Sequence, residues 1–571
     1  MPQPLRFESP RDALARLSPS RRRRLLQRGV PLLVALGAFA LGIGILLGGL
    51  GESGTERTAR EFVRAWEKGD YQAMHRLIEP GDRDRAPLAA FRGAYERAAA
   101  TATAESIDAG RVREDGDQAR VPITVRTRVF GTVRGTLVLD VKDDRVDWDR
   151  SLVFPGLRDD DRLSRVTRAP ARAAIRARDG KEIVSGPATS RAPSGALAGT
   201  IAGTVGPAET PAEREDLRVR GFPAGTAIGK TGLERATERY VAGTPGGRLL
   251  AGRRTLATSE PRQAEPVRTT IDLTVQQAAV QALGGRFGGI AAVDAQTGQI
   301  RALAGVAFSA PQPPGSTFKI ITAVAGLEAK KVKPSTKFPV ETKAVIDGVD
   351  LENANGESCG GTFVNSFAHS CNSVFAPLGV KVGGERLVET AERFGFNQAP
   401  GVPGAATSTI PSADEIGGPL AVGSSAIGQG KVLTTPLEMA SIAQTIANDG
   451  ERSPPTIVAE APRPQPVKVT SQRVARQVEK MMVAVVSYGT GTAASIDGVK
   501  VAGKTGTAEL QSTTGPTAED SDPGSDTDAW FAAYTPVKKP KLAVGVLFVK
   551  AGAGGTTAAP AAKIVLQAGL K

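Results

Sequence analysis

Residues that hold metals and redox groups are scarce in this chain of 571 residues, which has two histidines, His75 and His369, and two cysteines, Cys359 and Cys371. A dedicated metal centre needs three or four clustered ligands, so the composition argues against one. No P-loop or dinucleotide fingerprint points to a nucleotide cofactor, and no cofactor is expected. The formal net charge is +13, yet no basic cluster interleaves with aromatic residues as a nucleic-acid surface does. Long apolar runs are equally scarce. One extends from about Gly29 to Leu50, behind Arg21-Arg22-Arg23-Arg24 and Arg28. Its length suits a bilayer-crossing helix. The basic flank predicts residues 1–28 as a cytoplasmic tail, 29–50 as a transmembrane helix, and everything after Glu52 outside the cell membrane. A cleaved signal peptide is the alternative, because Gly48-Gly49-Leu50-Gly51 offers small residues.

What the chain does have is three short signals in one order: Ser316-Thr317-Phe318-Lys319, Ser370-Cys371-Asn372 and Lys504-Thr505-Gly506. Each alone is weak. A second Lys-Thr-Gly at Lys230-Thr231-Gly232 precedes the serine, lacks a following Thr, and reads as structural. Order and context give the other three their weight. Pro313-Pro314-Gly315 stops regular structure, and a nearly all-apolar run follows, which places Ser316 at a helix N-terminus. Backbone N–H groups and the helix dipole there favour a developing negative charge. Lys319 lies one turn on, along the same face. Burial in that helix eases loss of its proton and makes an amine able to activate the serine.

Ser370 and Asn372 lie at the junction of two helical segments. The hydroxyl suits proton relay to a leaving amine, and the amide suits a substrate amide. Gly503 to Glu509 alternates as a strand, in which Gly506 permits close approach of another backbone. Lys504 supplies charge, and Thr505 and Thr507 supply hydroxyls, for a substrate carboxylate. The N–H groups of Ser316 and Thr507 make an oxyanion pair.

These motifs resemble those of class B penicillin-binding proteins, the D,D-transpeptidases that cross-link peptidoglycan. Beyond them, Thr269-Thr270-Ile271-Asp272-Leu273, the hairpin pattern Gly289–Asp294 and Gln299–Ala304, Ser425-Ala426-Ile427-Gly428-Gln429-Gly430, Gly489-Thr490-Gly491-Thr492-Ala493 and Trp530-Phe531-Ala532-Ala533-Tyr534 are similar to signatures of that family. The resemblance implies a multidomain α/β (α+β) protein whose domain over 266–571 has the serine β-lactamase/D,D-peptidase-like fold. Ser316 would be the nucleophile toward stem peptides, and β-lactams would acylate it. Amphipathic helices near Thr58–Trp66 and Tyr71–Ile78, followed by alternating strands, read as an α+β unit over 55–155. It is similar to the nuclear-transport-factor-2-like domain of the methicillin-resistance branch. Residues 165–265 resemble the pedestal, or dimerisation, domain; a flexible linker is the alternative.

Cys359 and Cys371, twelve apart on the oxidising side, can form a disulfide or remain two buried thiols. The acidic stretch from Gln511 to Asp528 should hang near the cleft mouth, either as an attractor of a cationic acceptor amine or as a solvated loop. With no glycosyltransferase-like region, the resemblance implies a separate glycan polymerase of the SEDS type within a cell-wall synthesis complex. A β-lactamase needs a group that activates deacylating water, and no Glu-x-x-x-Asn element lies between the second and third motifs. A D,D-carboxypeptidase differs only in accepting water, and a non-catalytic scaffold would have little use for both Ser316 and Lys319.

Overall fold

The computed structural model describes residues 53–158, 160–509 and 527–571. The expected transmembrane helix over 29–50 and all but the last two residues of the acidic stretch 511–528 lie outside the described residues. Among the described residues, no helix is long and apolar enough to cross a membrane. The chain forms two compact units. The first comprises the described residues up to Thr167 with the short returns Val219–Gly221 and Gly247–Ser259, and the second comprises the remainder.

The first unit opens with helices Gly54–Glu67, Tyr71–Leu77, Pro80–Arg85 and Leu88–Ala102. Ser53 caps the first by accepting the Glu56 N–H at 3.0 Å, which satisfies an otherwise orphaned donor. An antiparallel sheet follows, with Gln118–Thr127 between Ala104–Ala109 and Gly131–Lys142. Its inward residues Ala119, Val121, Ile123 and Val125 are buried, the period-two pattern of a one-sided sheet. Phe62, Trp66, Phe91, Tyr95 and Trp148 fill the core between helices and sheet. Trp148 Nε1 donates to Tyr95 Oη at 3.1 Å, and its backbone N–H donates to buried Asp82 at 2.7 Å.

The second unit is built on a five-stranded antiparallel sheet. Its strands are β1 (Gly288–Asp294), β2 (Ile300–Gly305), β3 (Ala502–Glu509), β4 (Thr527–Thr535) and β5 (Leu542–Phe548), in the order β2-β1-β5-β4-β3. Helices cover both faces, so β5 is buried along its whole length. On one face lie α1 (Leu273–Leu283) and, at the chain end, a helix over Ala558–Ala568 that packs on it. The other face carries a helix over Pro436–Ala447, every residue of which is buried. Between β2 and β3 the chain also forms α2 (Lys319–Glu328), α3 (Phe363–Ala368), α4 (Asn372–Val382) and the long helix Gln472–Ser487. Strand β3 is an edge strand, so one row of its backbone groups is left to face something other than sheet.

Within the part of 168–265 that belongs to the second unit, a buried ion cluster joins the segments carrying Arg172, Arg191 and Glu234–Glu238. Arg172 meets Glu234 at 2.6 Å and Glu238 at 2.8 Å, and Arg191 meets Glu234 at 2.7 Å. In the early Lys-Thr-Gly, Lys230 pairs with Glu213 at 2.9 Å and Thr231 precedes the helix Gly232–Ala236, the structural use its context suggested.

Candidate active site

Pro313 and Pro314 end the preceding chain, and a tight turn over Gly315–Phe318 leads into α2. Ser316 therefore sits in a 3₁₀ turn, not in the first turn of the α-helix as its apolar run suggested. The turn is tight because Gly315 adopts φ +50° and donates its N–H to Gly428 O at 3.0 Å. A Cβ at Gly315 would lie 2.5 Å from Thr507 O. The backbone of Thr507 consequently faces the serine turn, and in an antiparallel strand its N–H points the same way as its carbonyl. Gly506, its neighbour, has no room for a side chain: a Cβ there would be 2.7 Å from Pro314 O. The free edge of β3 and the Ser316 turn thus form two sides of one slot.

The third side is the Ser370 segment. Lys319 Nζ, fully buried, donates to Asn372 Oδ1 at 2.6 Å, to Ser370 O at 2.6 Å and to Ser370 Oγ at 3.3 Å. Lys504 Nζ, also fully buried, donates to the same Ser370 Oγ at 2.9 Å and to Thr505 O at 3.0 Å. One hydroxyl therefore joins two lysines that arrive from a helix and a strand. Sequence spacing set Lys319 beside Ser316. Among the described residues, however, Ser316 Oγ makes no hydrogen bond, and the lysine is turned onto the second motif. Thr505 Oγ1 lies 2.5 Å from Thr490 Oγ1, and Thr507 Oγ1 accepts the Gly554 N–H at 3.4 Å.

Electrostatics follow from burial. Each ammonium has an aromatic ring nearby, Phe375 for Lys319 and Phe367 for Lys504, both 5.6 Å to the centroid. Burial holds the Lys319 amine well below its ordinary value, with the charge of Lys504 adding to the effect. Burial alone pushes Lys504 down to about 7. A neutral amine at Lys319 is a base, and a charged Lys504 is an anion receptor.

Cys359 and Cys371 are joined as a disulfide, with Cα atoms 5.5 Å apart, so the middle residue of the second motif is tied to the strand Cys359–Thr362. The contacts of Thr490 and Asn353 were not singled out from sequence as parts of the site. Thr490 lies within the Gly489–Ala493 signature, while Asn353-Ala354-Asn355-Gly356 has the look of a turn.

Residues 288–567 match the family described as penicillin binding protein transpeptidase domain, and residues 54–161 match the NTF2-like N-terminal transpeptidase domain. The peptidoglycan D,D-transpeptidase PbpA of Mycolicibacterium smegmatis is 32% identical over 410 residues, covering 60% of this chain and 80% of the relative. The chain belongs to the class B penicillin-binding proteins. Among its other relatives in this family is stage V sporulation protein D of Bacillus subtilis, 32% identical over 212 residues, or 34% of this chain and 32% of the relative. Solved penicillin-binding proteins share the architecture. PBPA from Mycobacterium tuberculosis has a TM-score of 0.56 and 25% identity, with 70% of this chain and 99% of that one covered. Its penicillin G acyl-enzyme complex aligns equally well, at a TM-score of 0.56 and 26% identity, over 70% of this chain and all of that one.

Proposed function

We propose that this penicillin-binding protein is a peptidoglycan D,D-transpeptidase that works through an acyl-enzyme on Ser316 and is inhibited covalently by β-lactams. The observation that carries this reading is the meeting of Lys319 and Lys504 on Ser370 Oγ, beside a serine turn faced by the edge of β3. Neutral Lys319 takes the Ser316 hydroxyl proton as Oγ bonds to the carbonyl carbon of the penultimate D-Ala. The N–H groups of Ser316 and Thr507 receive the oxyanion. Ser370 passes the proton to the departing nitrogen as the C–N bond breaks, and the terminal D-Ala leaves as an amine. An amine of a second stem peptide then attacks the ester and gives up its proton along the same path. Asn372 orients the substrate amide, while Lys504, Thr505 and Gly506 receive the terminal carboxylate.

The domain limits proposed are 55–155, 165–265 and 266–571, with residues 1–28 cytoplasmic and a single membrane span at 29–50. That arrangement sets the catalytic domain outside the cell membrane, where stem peptides and an oxidising environment coincide, and the disulfide supports it. A SEDS-type glycosyltransferase remains the partner this reading calls for.

Incubating the purified full chain with benzylpenicillin is expected to give a single persistent adduct by intact mass, absent from Ser316→Ala. Rapid drug turnover without an adduct would instead indicate a β-lactamase. An equal adduct on Ser316→Ala would remove the serine from its role.

The lysine environments also set a pH profile. Because burial and the charge of Lys504 hold it low, the Lys319 amine gains a proton and ceases to be a base only as the pH falls, so acylation falls on the acid side. Above about 7 Lys504 loses the charge that receives a carboxylate, so the second-order rate falls on the alkaline side as well. Lys504→Arg keeps its proton at every accessible pH and is expected to remove the alkaline limb while leaving the acid limb in place. Stopped-flow acylation between pH 5 and 10 checks this, and an unchanged alkaline limb would refute the assignment.

A further inference from the structure

The Ser370-Cys371-Asn372 segment is held in a conformation it would not choose by itself. Ser370 adopts φ +62°, a left-handed geometry that a residue with a side chain keeps only when its surroundings over-determine it. Helix α4, which begins at Asn372, lacks the usual local remedy for its first-turn N–H groups. Its N-cap residue is Cys371, whose side chain makes no capping hydrogen bond and whose sulfur is bonded to Cys359. Donors of a helix's first turn need acceptors from somewhere. Here one acceptor comes from twenty residues upstream: the Ser373 N–H donates to Asn353 Oδ1 at 2.9 Å.

Asn353 is built for this task. It is 5% exposed, and both of its donors and its oxygen are engaged. Nδ2 donates to Glu341 O and to Glu357 O, both at 2.8 Å, so the amide can present only its oxygen to α4. The adjacent carbonyl adds a second grip, because Asn372 Nδ2 donates to Glu352 O at 2.6 Å. The dipeptide Glu352-Asn353 therefore holds the dipeptide Asn372-Ser373. With its amide fixed on Glu352 O, Asn372 can turn only Oδ1 toward Lys319 Nζ, which lies 2.6 Å away.

We propose that Asn353 is a positioning residue for acyl transfer. It caps α4 from outside the motif and sets the second motif against both lysines, and the Cys359–Cys371 disulfide acts as a second clamp on the same segment. Neither group touches the reacting atoms. Their effect runs through Ser370 Oγ and Asn372 Oδ1, whose placement decides whether the proton path is aligned. Misplacement of such groups by about 1 Å costs on the order of 100-fold in rate. The two clamps grip one short segment, so their effects should be coupled, not additive.

The proposal rests on the reading of the site given above, and the test keeps the two apart. The full chain and its Asn353→Ala and Asn353→Asp variants are titrated with benzylpenicillin to count active sites, and the acylation rate constant of that active fraction is then measured with and without reductant. The wild type alone tests the function: no adduct on it would fail that reading and overturn a positioning role in acyl transfer with it. With a wild-type adduct in hand, Asn353→Ala is expected to slow acylation on the order of 100-fold at unchanged pre-acylation affinity. Reduction should slow the variant by a larger factor than it slows the wild type. Asn353→Asp keeps the acceptor for the Ser373 N–H but loses the two donations that aim it, and should fall between the two; it also serves if Asn353→Ala does not fold. A merely structural asparagine would lower the fraction of titratable sites and leave the rate constant of that fraction intact. That result in either variant would overturn the proposal.

Discussion

Lys319→Met is expected to slow acylation by benzylpenicillin on the order of 10³-fold, as loss of a general base does, in a protein that still folds. The lysine is completely buried, and its stem runs through an apolar helix next to Phe375, so an unbranched apolar chain of similar length fills the same space. Two opposing terms set the stability. Asn372 Oδ1 and Ser370 O lose their donor, at about 1–3 kcal/mol for each buried group left unpaired. Against this, an amine that burial disfavours is no longer removed from water. The thermal midpoint should therefore move by only a few degrees while the chemistry disappears. Lys319→Arg removes the base in another way: a guanidinium stays protonated at every accessible pH and cannot accept the serine proton, so the rate should fall as far as in the Met variant. Time courses of adduct mass beside thermal unfolding check both. Near-wild-type acylation in either variant would mean that Ser316 is activated by another group, and Lys504 would be the one to examine.

The chemistry was legible in the sequence where one short segment carries it whole. Ser316 and Lys319 share a turn, Ser370 and Asn372 flank one residue, and Lys504 to Thr507 lie on one strand, so local rules of helix, turn and strand are enough to find the motifs, though not to aim every side chain in them. The β1–β2 hairpin was readable from the short turn after Asp294 between two apolar runs, although β1 is buried on both faces and shows no alternation. What eluded local reading is set by distant partners. Spacing placed Lys319 beside Ser316, but the groups that claim its amine are 51 and 53 residues away. The 3₁₀ turn at Ser316 depends on Gly315 meeting Thr507 and Gly428, both more than a hundred residues on. Strands β4 and β5 are buried on both faces and so show little alternation, and their insertion between β1 and β3 is a long-range pairing. Asn353 is the extreme case. Its own neighbourhood reads as a turn, and only the uncapped start of α4, twenty residues later, explains why an amide is buried there.

Gly506→Val carries the argument about the slot to its sharpest test. The two walls that would form an oxyanion hole meet at this glycine: on one side the turn of Ser316, on the other the edge of β3. A Cβ at Gly506 lies 2.7 Å from Pro314 O and 3.0 Å from both Thr317 Cγ2 and Trp530 Cβ. The first neighbour is backbone and the last belongs to a fully buried ring in the paired strand, so neither yields cheaply. A branched side chain must therefore push the Ser316 turn and β3 apart. Overpacking of this kind costs about 1–3 kcal/mol, which a protein of this size tolerates as a lower melting temperature. Function has less margin. The N–H groups of Ser316 and Thr507 must converge on one oxygen at about 2.7–3.1 Å, and separating them removes at least one donor, worth roughly 10²–10³-fold in rate. The expected variant is folded, retains both buried lysines, and acylates at least 100-fold more slowly with little change in the affinity that precedes acylation. Acylation within a few-fold of wild type would show that the slot between β3 and the Ser316 turn is not where the oxyanion forms.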